Sequence, residues 1–492
     1  MAVVLGGIVL LKVNAFLSLL AAALVVSFMA AGSSPDSATA LTDPVARVVD
    51  AFASTTGAIG IVIALAAVIG ESMMRSGAAD RIVGTFLAVL GEKRSATAMM
   101  SSGFVLSVPV FFDTAFYLLV PLARSLYRKT GRHYLKYLLA IGSGAVATHA
   151  LVPPTPGPLF VANVFDVNLG VMILVGVVVA LPAAIAGLAY GVYLDRRMPL
   201  TPGGEDVAEG DSGEAGPAAG VDETRLPGLG LALAPIVVPI VLITGNAVVK
   251  TLAQQQLIAA DPAARLLRGR ELTFAILQAA GDGSALAEAF RWTNVLGNPN
   301  LALFLAAIIA LITLWTQRQH LSRPIPQLVE RALMSGGVII LITAAGGAFG
   351  GMLGAAGLGD AIKHLAESQV AGQGSTTLLT GLPLLLLAFV VASVLKFAQG
   401  SSTTAMIVTS GMIAAMIDPA SLAFNPVYVA LAIGGGSLCG IWMNDSGFWI
   451  VAKMGGLTET QTLRAWTPAA AIVGAVAFVM AVLLAWLLPL AG

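Results

Sequence analysis

Four short stretches decide the fold. In the first half of the chain SVPVFFDTAF (Ser107 to Phe116) is followed by THALVPPTPGP (Thr148 to Pro158), and in the second LKFAQGSSTTAM (Leu395 to Met406) is followed by WMNDSGFW (Trp442 to Trp449). Each interrupts a long apolar run with residues that a helix interior does not tolerate. Pro153, Pro154, Pro156 and Pro158 remove backbone donors and clash with the preceding turn. Gly400, Ser401, Ser402 and Gly447 favour turns and helix caps. The spacing repeats as well: Asp113 to Pro156 covers 43 residues (156 − 113) and Ser401 to Asp445 covers 44 (445 − 401). Ordinary surface loops would explain any one of these breaks, but they have no reason to recur at one spacing.

The sequence around the breaks belongs to a membrane protein. Of its 492 residues 57% are hydrophobic and only 11% charged, and the mean hydropathy is +0.90. A chain of this length with the usual quarter of charged residues would make about three soluble domains; this one lacks the polar surface to cover them. Lys and Arg number 26 and Asp and Glu also 26, so no basic excess is available for phosphate neutralisation, and nucleic acid is not an expected partner. The single cysteine, Cys439, excludes an internal disulfide and any cysteine-based metal centre, and is read as a small packing residue. No metal or cofactor is expected. The apolar start of the chain, with no A-x-A cleavage pattern, is read as a membrane segment rather than a signal peptide.

About 20 apolar residues span a bilayer, and twelve runs approach that length: 14–31, 57–74, 96–122, 134–152, 169–194, 229–249, 298–316, 332–358, 376–397, 402–417, 425–442 and 467–489. Twelve is a ceiling. The run at 96–122 is broken at Pro109 and carries Asp113, while 402–417 is short. The expected fold is therefore an all-α polytopic membrane protein with about 10–12 transmembrane helices. Non-helical backbone at membrane depth is tolerated only where protein shields it or it lines a water-filled cavity. Four breaks in two matched pairs thus predict one central cavity, lined by half-helix N-termini whose positive dipole ends attract anions.

Basic residues orient the chain. The stretch 123–136 carries Arg124, Arg128, Lys129, Arg132 and Lys136 without an acid, which by the positive-inside rule is cytoplasmic. Arg196 and Arg197, then Arg318 and Arg323, fall on the same side at successive two-crossing intervals. Between Asp195 and Arg225 eight acids stand against three bases among Gly, Pro, Ala and Ser, which reads as a cytoplasmic linker without regular structure. The expected organisation is a first membrane repeat at 1–194, an acidic linker at 195–227 and a second repeat at 228–492. The segment 250–298 within the second repeat, with amphipathic stretches such as Glu271 to Ala280, is expected to form short external surface helices.

HALVPPTPGP (His149 to Pro158) resembles the THG-h-h-PP-x-PGP signature of the gluconate permease (GntP) family, a branch of the ion-transporter superfamily. MNDSGFW (Met443 to Trp449) resembles its VND-x-GFW, and QGSSTTAM (Gln399 to Met406) its GSATVA segment; LKVNAF (Leu11 to Phe16) and SGAADRI (Ser76 to Ile82) also fit. The resemblance implies a proton-coupled importer of gluconate or a related small hydroxylated carboxylate in a cell's inner membrane. It also implies two inverted repeats, each with a re-entrant hairpin and a discontinuous helix, with SVPVFFDTAF and QGSSTTAM as the hairpin regions. A homo-oligomer follows from superfamily analogy alone. Two departures stand out: Trp442 lies where relatives often have His, leaving the exact substrate open, and Asp113 replaces a common Glu but keeps the carboxylate.

Charges inside the membrane are functional candidates, because burying one costs at least about 2.5 kcal/mol. Asp113 is a candidate proton carrier, a partner for a cation such as Lys396, or a solvated hairpin tip. Glu71 is a rival carrier, although Arg75 at i+4 offers it an ion pair. Asp445, beside Asn444 and Ser446, either caps a half-helix or meets substrate or proton. Lys396 either snorkels to an interface or pairs with the substrate carboxylate. On the reading that a polyol carboxylate is carried, Ser401, Ser402, Thr403, Asn444 and Ser446 supply hydroxyl and amide partners, since an unpaired buried hydroxyl costs roughly 1 to 3 kcal/mol. Gly400, Thr155, Pro156 and Gly157 complete the candidate substrate-binding set at the breaks. His149 is read either as a substrate or backbone partner or as a packing residue. His133, His320 and His364 carry no assigned role.

An enzyme is not expected: the sequence has no HExxH, no GxSxG and no GxxxxGK[ST], which also removes an ATP-driven pump. A passive anion channel, a cation/proton antiporter or a symporter of a polar amino acid such as serine remains compatible with broken helices.

Overall fold

The computed structural model describes residues 14–31, 44–201, 226–260, 269–279, 285–321, 323–356, 381–417, 422–443 and 445–490. The acidic linker at 202–225, parts of the 250–298 segment, residues before Asn14, the start of the 376–397 run and Asn444 lie outside them. Among the described residues every regular element is a helix.

Each of the twelve apolar runs carries a helix. Among the described residues seven stretches are long and apolar enough to cross a membrane: Pro44–Arg75, Tyr134–Val164, Leu169–Arg197, Leu229–Leu257, Pro299–Thr316, Ile325–Leu353 and Glu459–Leu487. Five runs make shorter helices instead. The 96–122 run is two elements, α4 (Ser95–Leu106) and α5 (Phe112–Thr130), separated at Ser107–Phe111 around Pro109. The short 402–417 run is α15 (Ser402–Ala414), which turns back at Gly400 from α14 (Leu382–Gln399). Gly400 ends α14 with φ 80°, a left-handed backbone that glycine adopts without a Cβ penalty, and its N–H closes on the Lys396 carbonyl at 2.9 Å.

The duplication holds helix by helix. In the first half α5, α7 (Pro156–Val164) and α8 (Leu169–Arg197) begin at 112, 156 and 169; in the second α15, α17 (Ser446–Gly455) and α18 (Glu459–Leu487) begin at 402, 446 and 459. Each start lies 290 residues after its counterpart (402 − 112, 446 − 156, 459 − 169), and α8 and α18 both run 29 residues. The break before α7 follows α6 (Tyr134–Leu151), and that before α17 follows α16 (Val427–Gly436). Both repeats therefore contain a helical hairpin, α4–α5 or α14–α15, and a discontinuous helix, α6–α7 or α16–α17.

α6 and α16 lie at the centre, buried on nearly every side. Lipid is as apolar as leucine, so helices in a bilayer associate through close backbone contact rather than the hydrophobic effect. Small residues permit that contact here. A Cβ on Gly144 of α6 would stand 2.1 Å from the Met100 carbonyl oxygen of α4, and one on Gly103 of α4 would stand 2.6 Å from the Ile141 oxygen of α6. In the second repeat Gly436 of α16 meets the Phe389 carbonyl of α14 in the same manner, at 2.3 Å. A second apolar core joins α1 (Ala15–Ala31), α2 (Pro44–Arg75), α13 (Ile325–Ala355), α14 and α15 through Leu19, Val48, Phe349, Leu395 and Val408. α3 (Ala78–Leu90) follows α2 after the left-handed Gly77, and α9 (Leu229–Ala260) packs against α12 (Pro299–Thr316). In the 250–298 segment α10 (Gly269–Ala279) and α11 (Ala285–Leu296) are short helices held to α9 by Ala253, Ile276 and Phe290.

Gly144→Val must separate α4 from α6, and overpacking of this kind costs about 1 to 3 kcal/mol. Its thermal unfolding temperature in detergent should fall clearly below that of Gly84→Ala, where a Cβ meets nothing within 4 Å. Equal values for the two variants would show that the α4–α6 contact does not set the packing.

Candidate functional site

The four helix starts created by the breaks face one cavity of about 280 Å³. Phe111, Phe112, Asp113 and Thr114 reach it from α5, Pro156 from α7, Ser401, Ser402 and Thr403 from α15, and Asp445, Ser446 and Gly447 from α17. α6 adds Val146 and His149, α13 adds Ser335 and Ile339, α18 adds Trp466, and Ile441 comes from the second break. The first N–H groups of a helix have no intrahelical partner, so four sets of donors and four positive dipole ends converge on this space.

The two repeats terminate their helices differently. α15 is capped by Ser401, whose Oγ accepts from the Thr404 N–H at 3.2 Å, and α17 by Asp445, whose Oδ1 accepts from the Phe448 N–H at 3.1 Å. In the first repeat the corresponding positions are Phe111, which has no side-chain acceptor, and Thr155, whose hydroxyl donates back to the Val152 carbonyl at 2.7 Å. Neither α5 nor α7 has a side-chain cap. Within the first turn of α5 stands Asp113, partly buried, with no salt-bridge partner among the described residues.

Lys396 does not snorkel: its side chain is fully buried. Nor does it pair with Asp113. Its ammonium donates to the Gly400 carbonyl at 2.7 Å and to the Asp445 carboxylate, which is itself 9% exposed. This pair ties the hairpin α14–α15 to the start of α17. Asp445 does cap its half-helix: one oxygen caps α17 while the other meets Lys396, and the residue borders the cavity.

Hydroxyl groups around the cavity divide into engaged and open. Ser401 Oγ serves Thr404, and Ser402 donates to the Ser437 carbonyl at 2.9 Å. Thr403 and Ser446 reach the cavity with no side-chain hydrogen bond of their own among the described contacts. His149 borders the cavity with its Nδ1 unpartnered, its ring edge-on to Phe111 with centroids 6.3 Å apart. Gly157 lies outside the lining, and a Cβ on it would stand 2.0 Å from Met406 Cε, so its role is to seat α7 on α15. Glu71 also lies outside and forms an ion pair with Arg75 at 2.9 Å. Trp442, in the place of the frequent His, stacks on Phe397 with centroids 5.0 Å apart and donates its indole N–H to the Phe397 carbonyl at 2.9 Å.

Sequence reading missed the wall opposite the breaks. Trp466 stacks on Phe112 at 5.4 Å, and its indole fits only because Gly142 behind it lacks a Cβ, which would meet the ring at 2.5 Å. Ser335 and Ile339 come from α13. None of these interrupts an apolar helix, so nothing in the local pattern separates them from ordinary packing residues.

Residues 1–487 match the model of the GntP family permeases. A gluconate permease of Pseudomonas aeruginosa is 34% identical over 90% of this chain and 89% of its own. The low-affinity gluconate transporter of Escherichia coli is 29% identical over 86% of this chain and 84% of its own, and the L-idonate transporter of the same organism's Gnt-II system is 29% identical over 93% and 90%. Neisseria gonorrhoeae MtrF, described with a class of antimetabolite efflux pumps, superposes with a TM-score of 0.58 at 14% identity over 95% of this chain and 94% of its own. The Alcanivorax borkumensis YdaH transporter gives 0.56 at 13% over 97% and 99%. At such identities the structures speak to the fold alone.

Removing one member of a buried charge pair costs about 3 to 5 kcal/mol, because the other is left uncompensated. Lys396→Met and Asp445→Asn should each lower the unfolding temperature strongly, and the double variant should recover most of the loss. Additive losses in the double variant would mean that the two side chains act independently.

Proposed function

The chain belongs to the GntP family of permeases and is a multi-pass membrane transporter rather than an enzyme, and on that premise we propose that it takes up gluconate or a related small hydroxylated carboxylate together with protons. The substrate class rests on the relatives named as gluconate and L-idonate transporters and on what the cavity offers. An anion is favoured where four helix N-termini converge. Thr403 and Ser446 offer open hydroxyls, the Phe112–Trp466 stack a flat apolar wall, and His149 a ring nitrogen.

The observation that carries the coupling is Asp113, a carboxylate bordering the cavity with no ion-pair partner among the described residues. It sits in the first turn of α5, where the dipole and the free N–H groups would otherwise receive the substrate's own carboxylate. Two carboxylates about 5 Å apart repel by about 3 kcal/mol at an effective dielectric of about 20. A proton on Asp113 removes that repulsion and frees the helix start. Proton and anion then enter together, because the anion is not stable in the site while Asp113 is charged. Ser401, Ser402 and Asp445 line the second-repeat side of the site with Gly400 and Lys396 behind them, and Pro156 lines the first-repeat side with Thr155 and Gly157 beside it; Glu71 carries no proton in this scheme.

The protein lies in the inner membrane with the basic 123–136 stretch and the acidic linker in the cytoplasm, a reading supported by the alternation of basic clusters. In a Cys439→Ser background, an impermeant maleimide applied to intact cells should label Gln255→Cys and spare Arg128→Cys; the reverse pattern would invert the orientation. Proteoliposomes containing Asp113→Asn should equilibrate labelled gluconate but not accumulate it when an inward proton gradient is imposed, whereas the unsubstituted protein accumulates it. Accumulation by the variant would remove Asp113 from the coupling step.

A further inference from the structure

The geometry points to a lipid site: we propose that the groove between α12 and α13 binds a zwitterionic aminophospholipid, its phosphate on Arg318 and its primary ammonium on Glu330. The groove shares no lining residue with the central cavity. The proposal therefore holds whatever the protein carries.

The groove has a volume of about 940 Å³, which is the size of a ligand pocket rather than a packing fault. Ile312 and Trp315 of α12 form one wall, and Val329, Leu333 and Met334 of α13 the other. Acyl chains cover such walls anywhere on a membrane protein, so the apolar surface alone would select nothing. Two charged side chains make the difference. Arg318 follows the end of α12 and lays its guanidinium over the exposed Trp315 ring, 4.1 Å from the centroid, while one N–H donates to the Trp315 carbonyl at 3.2 Å. An indole at a helix end sits at headgroup level, and the cation on its face is held there with donors left over for a phosphate. By the positive-inside rule this is the cytoplasmic leaflet, where Arg323 also lies.

Glu330 selects among phospholipids. It lines the same groove five residues into α13 (330 − 325), about 7.5 Å along the helix axis. A carboxylate at that depth needs a counter-charge, and Glu330 has no ion-pair partner among the described residues. Arg331 is its chain neighbour, but adjacent residues on a helix do not face each other. A primary ammonium beside a phosphate answers both charges of the groove, since it brings three N–H donors to the carboxylate while the phosphate meets the guanidinium. A choline headgroup has no N–H to donate. A glycerol headgroup supplies no cation, and its phosphate leaves Glu330 uncompensated.

Native mass spectrometry of the delipidated full chain, titrated with palmitoyl-oleoyl phosphatidylethanolamine, phosphatidylcholine or phosphatidylglycerol, reads the affinities directly. Phosphatidylethanolamine should bind about tenfold more tightly than either of the others, the margin of one charge-assisted hydrogen bond. Glu330→Gln should abolish its advantage over phosphatidylcholine, and Arg318→Gln should weaken all three lipids. Both side chains are exposed, so the unfolding temperature of the lipid-free protein should stay unchanged in either variant. Equal affinities for the three lipids in the unsubstituted protein would overturn the proposal without reference to any variant, as would a preference that survives Glu330→Gln. Tightest binding of phosphatidylglycerol would overturn it in favour of an anionic lipid. Efficient disulfide cross-linking of Met334→Cys between two chains in native membranes, in a Cys439→Ser background, would show that a second copy covers the groove instead.

Discussion

A helix that stops inside a bilayer leaves backbone N–H groups with no water to receive them, and this constraint organises the structure. Each unsatisfied group there costs several kcal/mol, so four interrupted helices cannot be scattered through the membrane. They are gathered at one cavity and enclosed by α6, α13 and α18. The second repeat answers the problem with its own side chains, Ser401 and Asp445; the first leaves α5 and α7 without side-chain caps. A site with two satisfied and two open helix ends is already biased toward an anionic guest.

The Lys396–Asp445 pair follows from the same constraint. A carboxylate is a strong cap because the helix dipole and N–H groups favour negative charge, yet at membrane depth it needs a counter-charge. Lys396 supplies one from the hairpin α14–α15, so capping of one broken helix and attachment of the neighbouring hairpin become a single interaction. In the proposed transport cycle a charge already matched in this way takes no part, and the coupling role falls to Asp113.

Close packing makes room for this arrangement. Glycines on α4, α6 and α16 bring the backbones of α4 and α6, and of α14 and α16, into direct contact, and that contact holds the central helices without any hydrophobic drive between them. Gly142 shows how packing shapes the site itself, since the indole of Trp466 lies where its Cβ would be and so reaches Phe112 at the cavity wall.

The helices and their breaks were legible in the sequence because both are local. Apolar length sets a span, proline and glycine end it, and the recurrence of one spacing announced two repeats and a shared cavity before any coordinates; Asp113, His149, Ser401 and Asp445 were visible as polar residues where lipid forbids them. What sequence left open was partnership. Whether Lys396 would meet substrate, Asp113 or Asp445 depends on how the end of α14 is brought to the start of α17, with Lys396 and Asp445 49 residues apart in the chain, and no local pattern encodes that approach. Trp466, Ser335 and Ile339 were hidden for the related reason that an unbroken apolar helix presents the same sequence whether its face meets a neighbour or a cavity. Local chemistry determined where the helices fail; only the tertiary structure decided which of the charges at those failures remains unpaired.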